Sequence, residues 1–436
     1  MIEQKAPREA TPITAGPVRA GGGSALRHRA FRRFWTGALF SNMGTWMQNV
    51  TVPYVVYQVT HRAIWVGVAA FAGLFPSVVL APWSGWLADR LDRRKLLLAG
   101  QVLQAAAAAA LWAAWVSGYR HPGAIMGLLL INGLSFAATM PAWQAFITQL
   151  VPRRDLLSAI SLNSAQFNAA RAVGPAVAGV VLARFGPSWA FLVNALSYLA
   201  VIGALAVVRP QSVERPTGRR RPLRDFGEAI AYSWRSPTLR LSMALIAAVF
   251  FFGNPVFQLT AVFADRVYRV GPGLFGLLGA SYGTGAVLGS VALGAASRKW
   301  PRSRITPAAI LAFALGLGGL GTFRAYAAGI FFLLICGAAF LASVATLNTT
   351  VQLTVPERIR GRVLAIYLMG LTGSFPLGAL VQGRLADTLG APATVLIAAA
   401  GLLVVWAVLS SRGEMAKRLD VPDHPIEVHA DEAVPA

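Results

Sequence analysis

Ser161, Ser164, Asn168, Arg171 and Pro175 recur at spacings of three and four, which lays them along one face of a helix. The stretch that holds them, 157–183, is otherwise apolar and long enough to cross a bilayer, so Arg171 falls near its middle. A guanidinium at that depth is costly and is by default a functional group. It cannot shed its charge, so its counter-charge must be an anion from outside the chain or a ring of amides and carbonyls. Its planar fork suits carboxylate or catecholate oxygens better than a lysine would. The competing reading is a structural arginine bonded across the fold.

Two further polar stripes could share a cavity with it. In the first apolar stretch Asn42, Thr45, Trp46, Asn49 and Pro53 lie on one face, with Gln48 off to the side; in the seventh, Asn254, Gln258 and Asp265 lie on another. The candidate substrate-binding set is therefore Trp46, Asn49, Asn168, Arg171, Asn254 and Gln258. Such amides can also serve only to tie helices together, at roughly 1 kcal/mol each. Ser343, Thr346 and Thr350 form a weaker stripe, expected to pack. No Ser-His-Asp set, phosphate loop or metal-ligand cluster is present, and all five histidines (His28, His61, His121, His424, His429) fall in tails or loops. The chain reads as no enzyme, with no cofactor and no metal.

The elements that position these residues turn on one short hairpin. Between two apolar runs stands Gly85-Trp-Leu-Ala-Asp89-Arg90-Leu-Asp92-Arg93-Arg94-Lys95. Gly85 lets a neighbouring helix come close. Asp89 lies near a helix C-terminus, where a carboxylate is unfavourable against the dipole, so it is expected to find a basic side chain or another helix N-terminus. Gly85, Asp89, Arg90, Arg93 and Arg94 are the expected gating residues, with Asp89 pairing to hairpin bases or to the chain near Arg360-Gly361.

Hydrophobic residues make up 56% of the 436, charged residues only 13%, and mean hydropathy is +0.57. Soluble domains carry about 25% charged residues, so this is a membrane protein by composition. The net charge of +22 is not a nucleic-acid footprint, because the basic residues cluster in loops between apolar runs. The single Cys336 sits in an apolar run and excludes disulfides. Spans are expected near 34–59, 64–88, 96–116, 123–147, 157–183, 188–208, 239–262, 272–296, 305–323, 328–352, 361–386 and 391–411. Beyond Arg171, the only basic residues on one set of loops are Arg62, Arg120, Arg184, Arg266, Arg269, Arg324 and Arg384; the rest lie on the other set with both termini. The positive-inside rule then puts both termini in the cytoplasm. Residues 1–30 read as a disordered tail, 31–208 as a first six-helix half, 209–238 (with Arg219-Arg220-Arg221) as a basic linker, 239–411 as a second half and 412–436 as a disordered tail. No Asp or Glu lies near the centre of a span.

The halves repeat. At one register Val151-Pro152-Arg153-Arg154 falls on Val355-Pro356-Glu357-Arg358, and Gly174, Gly179 and Gly186 fall on Gly378, Gly383 and Gly390. Nearby registers place Asn49 on Asn254 and Gly85 on Gly294. The fold class is thus an all-α membrane protein of twelve transmembrane helices in two pseudo-symmetric six-helix halves, with a site near the midplane between them.

The hairpin pattern Gly-x3-Asp-Arg-x2-Arg-Arg resembles the loop between helices 2 and 3 of the major facilitator superfamily, which usually carries a second glycine where Asp92 stands. Gly174-Pro175-Ala-Val-Ala178-Gly179 resembles the Gly-Pro-x2-Gly-Gly motif of its exporters, with Ala178 in place of a glycine. Phe31-Arg-Arg-Phe34-Trp35, Leu150-Val-Pro-Arg-Arg-Asp155, Gln166-Phe-Asn168-Ala-Ala-Arg171 and Asn194-Ala-Leu-Ser197 are similar to the enterobactin-exporter-like branch, the transmembrane secretion effectors. The resemblance implies a monomeric, alternating-access antiporter in a bacterial cytoplasmic membrane, exporting a siderophore-like or drug-like solute. Proton coupling is implied only by family habit. The rivals are an uptake carrier for a small metabolite and a non-transporting membrane scaffold or sensor.

Overall fold

A computed structural model describes residues 23–208 and 222–420. Arg219-Arg220-Arg221, the first tail up to residue 22 and the last one beyond 420 lie outside the described residues. Among the described residues there is no strand, and the long helices are α1 Arg29–Thr60, α2 Ala63–Arg90, α3 Arg93–Val116, α4 Pro122–Ile147, α5 Leu156–Phe185 and α6 Pro187–Val207. They continue with α7 Pro237–Val267, α8 Pro272–Ala296, α9 Arg302–Thr322, α10 Tyr326–Thr354, α11 Glu357–Leu389 and α12 Ala391–Ser411. Ten of these are long and apolar enough to cross a membrane. The two that fall short of that apolarity are α1 and α5, despite lengths of 32 and 30 residues. They carry two of the three polar stripes; the third lies on α7.

Proline supplies several starts. Pro122, Pro187 and Pro272 each occupy the first helical turn, where the missing N–H costs no intrahelical bond. Gly186 and Gly390, matched by the sequence repeat, both adopt positive φ (81° and 86°) at the turn into the next helix, a conformation closed to most side chains.

The packing repeats as well. Helices pair as α1·α6, α1·α5, α2·α4, α3·α4 and α3·α6, and the same pairs recur six helices on as α7·α12, α7·α11, α8·α10, α9·α10 and α9·α12. The two sets meet chiefly through α2·α11 and α5·α8. The matched glycines explain the close approaches. A Cβ on Gly174 would stand 2.6 Å from the Trp46 Cβ on α1, and one on Gly378 would stand 2.2 Å from the Phe251 carbonyl on α7. Gly179 likewise abuts Gly276 of α8, and Gly383 abuts Ala63 of α2. Small residues let backbones touch where lipid supplies no hydrophobic drive.

Order extends further into the expected tails and linker than composition suggested. A 3-10 turn, Ser24–Arg27, is anchored by the Ala25 N–H on Ser158 Oγ (3.3 Å) and by His28 on Asp155 (2.8 Å). The linker holds an amphipathic helix, Pro222–Arg235, whose Glu228 reaches Arg362 of α11 at 3.5 Å. After α12, a short helix Gly413–Lys417 leads to Asp420, whose carboxylate accepts from the Ser303 N–H at the start of α9. Composition sees only the Pro, Gly and charge of these segments; a few long-range bonds override it.

Candidate functional site

Each polar stripe is carried by a helix whose other faces are committed to packing. On α5, Ala170, Gly174, Pro175 and Ala178 are buried, while Ser161, Ser164 and Asn168 are exposed. Asn168 bonds only its own helix, donating to the Ser164 carbonyl at 2.9 Å. Arg171, a turn further on and half-buried, has no acceptor for its guanidinium among the described residues. Its backbone abuts α8 next to Tyr282: a Cβ on Gly283 would stand 3.0 Å from the Arg171 carbonyl oxygen. The Tyr282 hydroxyl in turn donates to the Asn254 side-chain oxygen of α7 at 3.2 Å. Tyr282, which the sequence stripes omitted, thus bonds Asn254 on the stretch of α8 that abuts Arg171. Its signal was weak: one hydroxyl in a Gly-rich helix.

Trp46 lies edge-on to Phe167, their ring centroids 5.8 Å apart, and so lines the same α1–α5 seam. Asn49 is exposed one turn further along α1. Gln258 is half-buried on α7, with its side-chain oxygen lacking a protein partner. Thr45 and Gln48 face elsewhere: Thr45 meets the Tyr198 hydroxyl at 3.4 Å, and Gln48 accepts from Asn194 at 2.7 Å. These two tie α1 to α6 and are structural.

Asn254 is set by a local break. A π-turn over Val249–Gly253 precedes it, and Pro255 follows without an N–H for the Phe251 carbonyl. Gln382 of α11 donates instead to the Phe251 and Phe252 carbonyls at 2.8 and 3.0 Å. The Asn254-Pro255 dipeptide inside an apolar run was the sequence sign of this distortion.

The gating hairpin is built as a capped turn. Asp92 accepts from the Lys95 N–H at 2.9 Å and so caps α3, which is what an aspartate gains where the family usually has glycine. Asp89 lies 3.8 Å from Arg93, which also donates to the Ala88 carbonyl; Arg94 donates to the Leu205 and Ala206 carbonyls at the end of α6; Arg90 stacks on Trp86. Among the described residues the close approach expected at Gly85 is not made: a Cβ there, or on Gly294 or Gly361, would meet none of them within 4 Å.

Closure is found at the end opposite the termini. Asp387, at the end of α11, accepts from the Ala63 and Ile64 N–H groups at 2.6 and 3.1 Å, capping the start of α2. Arg266 of α7 donates to the His61 carbonyl at 2.7 Å, and Asp265 takes Gln58 at 3.3 Å. Tyr54 of α1 stacks on Phe275 of α8 at 5.1 Å. The glycine contacts of Gly67 with Ala379 and of Gly179 with Gly276 lie at this end too. The exposed polar residues of α5, Ser161, Ser164 and Asn168, lie in the half of that helix nearer the termini.

The model of a family described as transmembrane secretion effector matches residues 20–424. The chain is 24% identical to the staphyloferrin A transporter of Staphylococcus aureus, over 82% of this chain and 89% of that protein. It is 25% identical to the multidrug efflux pump Tap of Mycolicibacterium fortuitum (85% and 92%) and 24% identical to the enterobactin exporter EntS of Shigella boydii (88% and 91%). Among solved structures, a bacterial homologue of the lysosomal transporter Spinster, inward-facing and unoccupied, superposes with a TM-score of 0.71 over 91% of this chain and 99% of that one. At 14% identity that likeness speaks for the fold alone.

Proposed function

The chain belongs to the transmembrane secretion effector family of major facilitators, and from that premise we propose that it is a secondary active exporter of a bacterial cytoplasmic membrane. Its twelve long helices cross as two pseudo-symmetric six-helix halves, an arrangement supported by packing pairs that recur six helices apart. Both termini face the cytoplasm, following the distribution of Lys and Arg. The conformation described is then inward-facing: sealed outside by Asp387, Arg266 and the glycine contacts, and open to the cytoplasm along α5. Alternating access proceeds by rocking one half against the other about the α2·α11 and α5·α8 seams.

The substrate is an organic solute bearing carboxylate or catecholate oxygens, of siderophore or drug size. The observation that carries this reading is Arg171, a permanent cation between the halves with no described protein acceptor. A buried charge needs a partner, and a solute anion loaded from the cytoplasm supplies one. Asn168 and Asn49 are exposed beside it, Trp46 offers an aromatic wall, and Asn254 and Gln258 contribute from the second half. The names of the relatives, two siderophore transporters and a drug efflux pump, support the same class. Proton exchange would drive export. With no carboxylate near the middle of a described span, the inward-moving proton would be carried by Asp265 or Asp387 at the helix ends.

Cells producing the chain should accumulate less of a citrate-type or catecholate siderophore than cells lacking it, and Arg171→Lys should abolish the difference while leaving membrane expression unchanged. Equal accumulation with and without the chain, across both siderophore classes and a panel of anionic drugs, would refute export of this class.

A further inference from the structure

At the end opposite the termini, beyond the sealed contacts, a second cleft of about 490 Å3 lies between α1, α3, α8 and the α5–α6 turn. Its size falls within the roughly 300–1,000 Å3 usual for small-molecule sites. Tyr54, Gln58, Trp115, Arg120, Pro187 and Pro272 line it. The Arg120 guanidinium carbon lies 4.3 Å from the Trp115 ring centroid, a cation–π contact. Such a contact uses no hydrogen-bond acceptor, so the guanidinium N–H donors remain for a ligand. No carboxylate pairs with Arg120 among the described residues. Pro187 and Pro272 are the first residues of α6 and α8, so two long helices begin at this lining and add partial positive charge there.

We propose that this cleft is a ligand site, separate from the Arg171 cavity, for a small aromatic carboxylate carrying a ring hydroxyl. Arg120 takes the carboxylate through charge-assisted bonds, and Trp115 and Tyr54 provide walls for a flat ring. Gln58 uses its amide N–H on Asp265 at 3.3 Å, which leaves its oxygen to accept from the ring hydroxyl. Asp265 opposes an anion, and its engagement by Gln58 sets how far that repulsion reaches. The site does not depend on what the central cavity carries. Its position puts it on the far side of the closure, so it samples solutes from the compartment opposite the termini.

Salicylate has the ring, the carboxylate and the hydroxyl, and serves as the probe. Equilibrium dialysis of labelled salicylate against the full chain in nanodiscs, with empty nanodiscs as background, should give saturable binding. Arg120→Gln should weaken it at least about tenfold, as expected on losing a charged hydrogen bond, and phenol should bind the parent about tenfold more weakly than salicylate. Trp115→Leu should weaken it by a smaller factor, and Arg171→Ala should leave it within about twofold. Binding no greater than to empty nanodiscs would overturn the site. So would an Arg120→Gln chain, shown folded by its melting curve, that binds as the parent does. Loss of binding in Arg171→Ala alone would move the ligand to the central cavity.

Discussion

Asp387 caps a helix 324 residues away in sequence. Replacing it by alanine removes two N–H acceptors at the start of α2. The lost cap is worth about 1 kcal/mol, and the lost carboxylate at a helix N-terminus adds up to about 1 kcal/mol. Arg62, 3.8 Å from the carboxylate but with its side chain 57% exposed, adds little. Asp387→Ala should thus disfavour the conformation sealed at this end by about 2 kcal/mol, roughly a thirtyfold change in the equilibrium between sealed and open forms. Asp387→Asn keeps one acceptor and loses only the charge, so about 1 kcal/mol, or roughly fivefold, is expected. Spin labels at Ser117→Cys and Arg324→Cys, both exposed and in opposite halves, report that separation, and the one native thiol, Cys336, is fully buried. The long-distance component should grow in the order parent, Asn, Ala. An Ala variant with the parent's distance distribution would refute the clasp, and a much lower melting temperature with unchanged distances would make the carboxylate a fold determinant only.

Gly179→Leu and Gly85→Leu should act in opposite senses. A side chain at Gly179 collides with Gly276 and should hold that end open, whereas Gly85 has free space here and its leucine should instead block closure at the termini end; the same spin-label geometry, read at each end, checks both. Gln382→Leu strips the side-chain donor from two part-buried carbonyls and should lower stability by about 1–3 kcal/mol, seen as a reduced melting temperature in detergent. Asp155 at the start of α5 is held below the usual carboxylate range by hydrogen bonds from Ser24 and His28. Its contribution is therefore complete above the ordinary aspartate pKa and is lost as pH falls through the lower folded value. A spin label at Arg27 should become mobile on that acid side, and in Asp155→Asn it should be mobile at neutral pH as well.

Much of the site could be read in the sequence because it depends on local periodicity. The α5 stripe follows from spacings of three and four; Ser161, Ser164 and Asn168 are exposed, Arg171 is half-buried and Pro175 is packed against α8. Arg171 stood out because a cation is rare in an apolar run. The repeated glycines were legible as well, and the packing gives each pair the same task in its half. What was illegible depends on which helices meet. Thr45 and Gln48 share α1 with Trp46 and Asn49, and only the position of α6 commits them to Tyr198 and Asn194. Tyr282 joins the site through its bond to Asn254, and no stripe on α8 announces it. The dipole argument applied to Asp89 holds for Asp387 just as well, and only tertiary contact shows that Asp387 meets the N-terminus of α2. Composition likewise missed the order at Ser24–Arg27 and Gly413–Asp420, each tied down by a few long-range bonds.

The central claim is that Arg171 binds an oxyanion of the exported solute. Inverted membrane vesicles containing the full chain, energised and offered a labelled citrate-type or catecholate siderophore, test it most directly. The parent should accumulate the label, Arg171→Ala and Arg171→Lys should not, and the melting temperatures of all three should agree within a few degrees. Accumulation by Arg171→Lys at the parent's rate, or collapse of the Arg171→Ala fold, would contradict the claim and make the arginine structural.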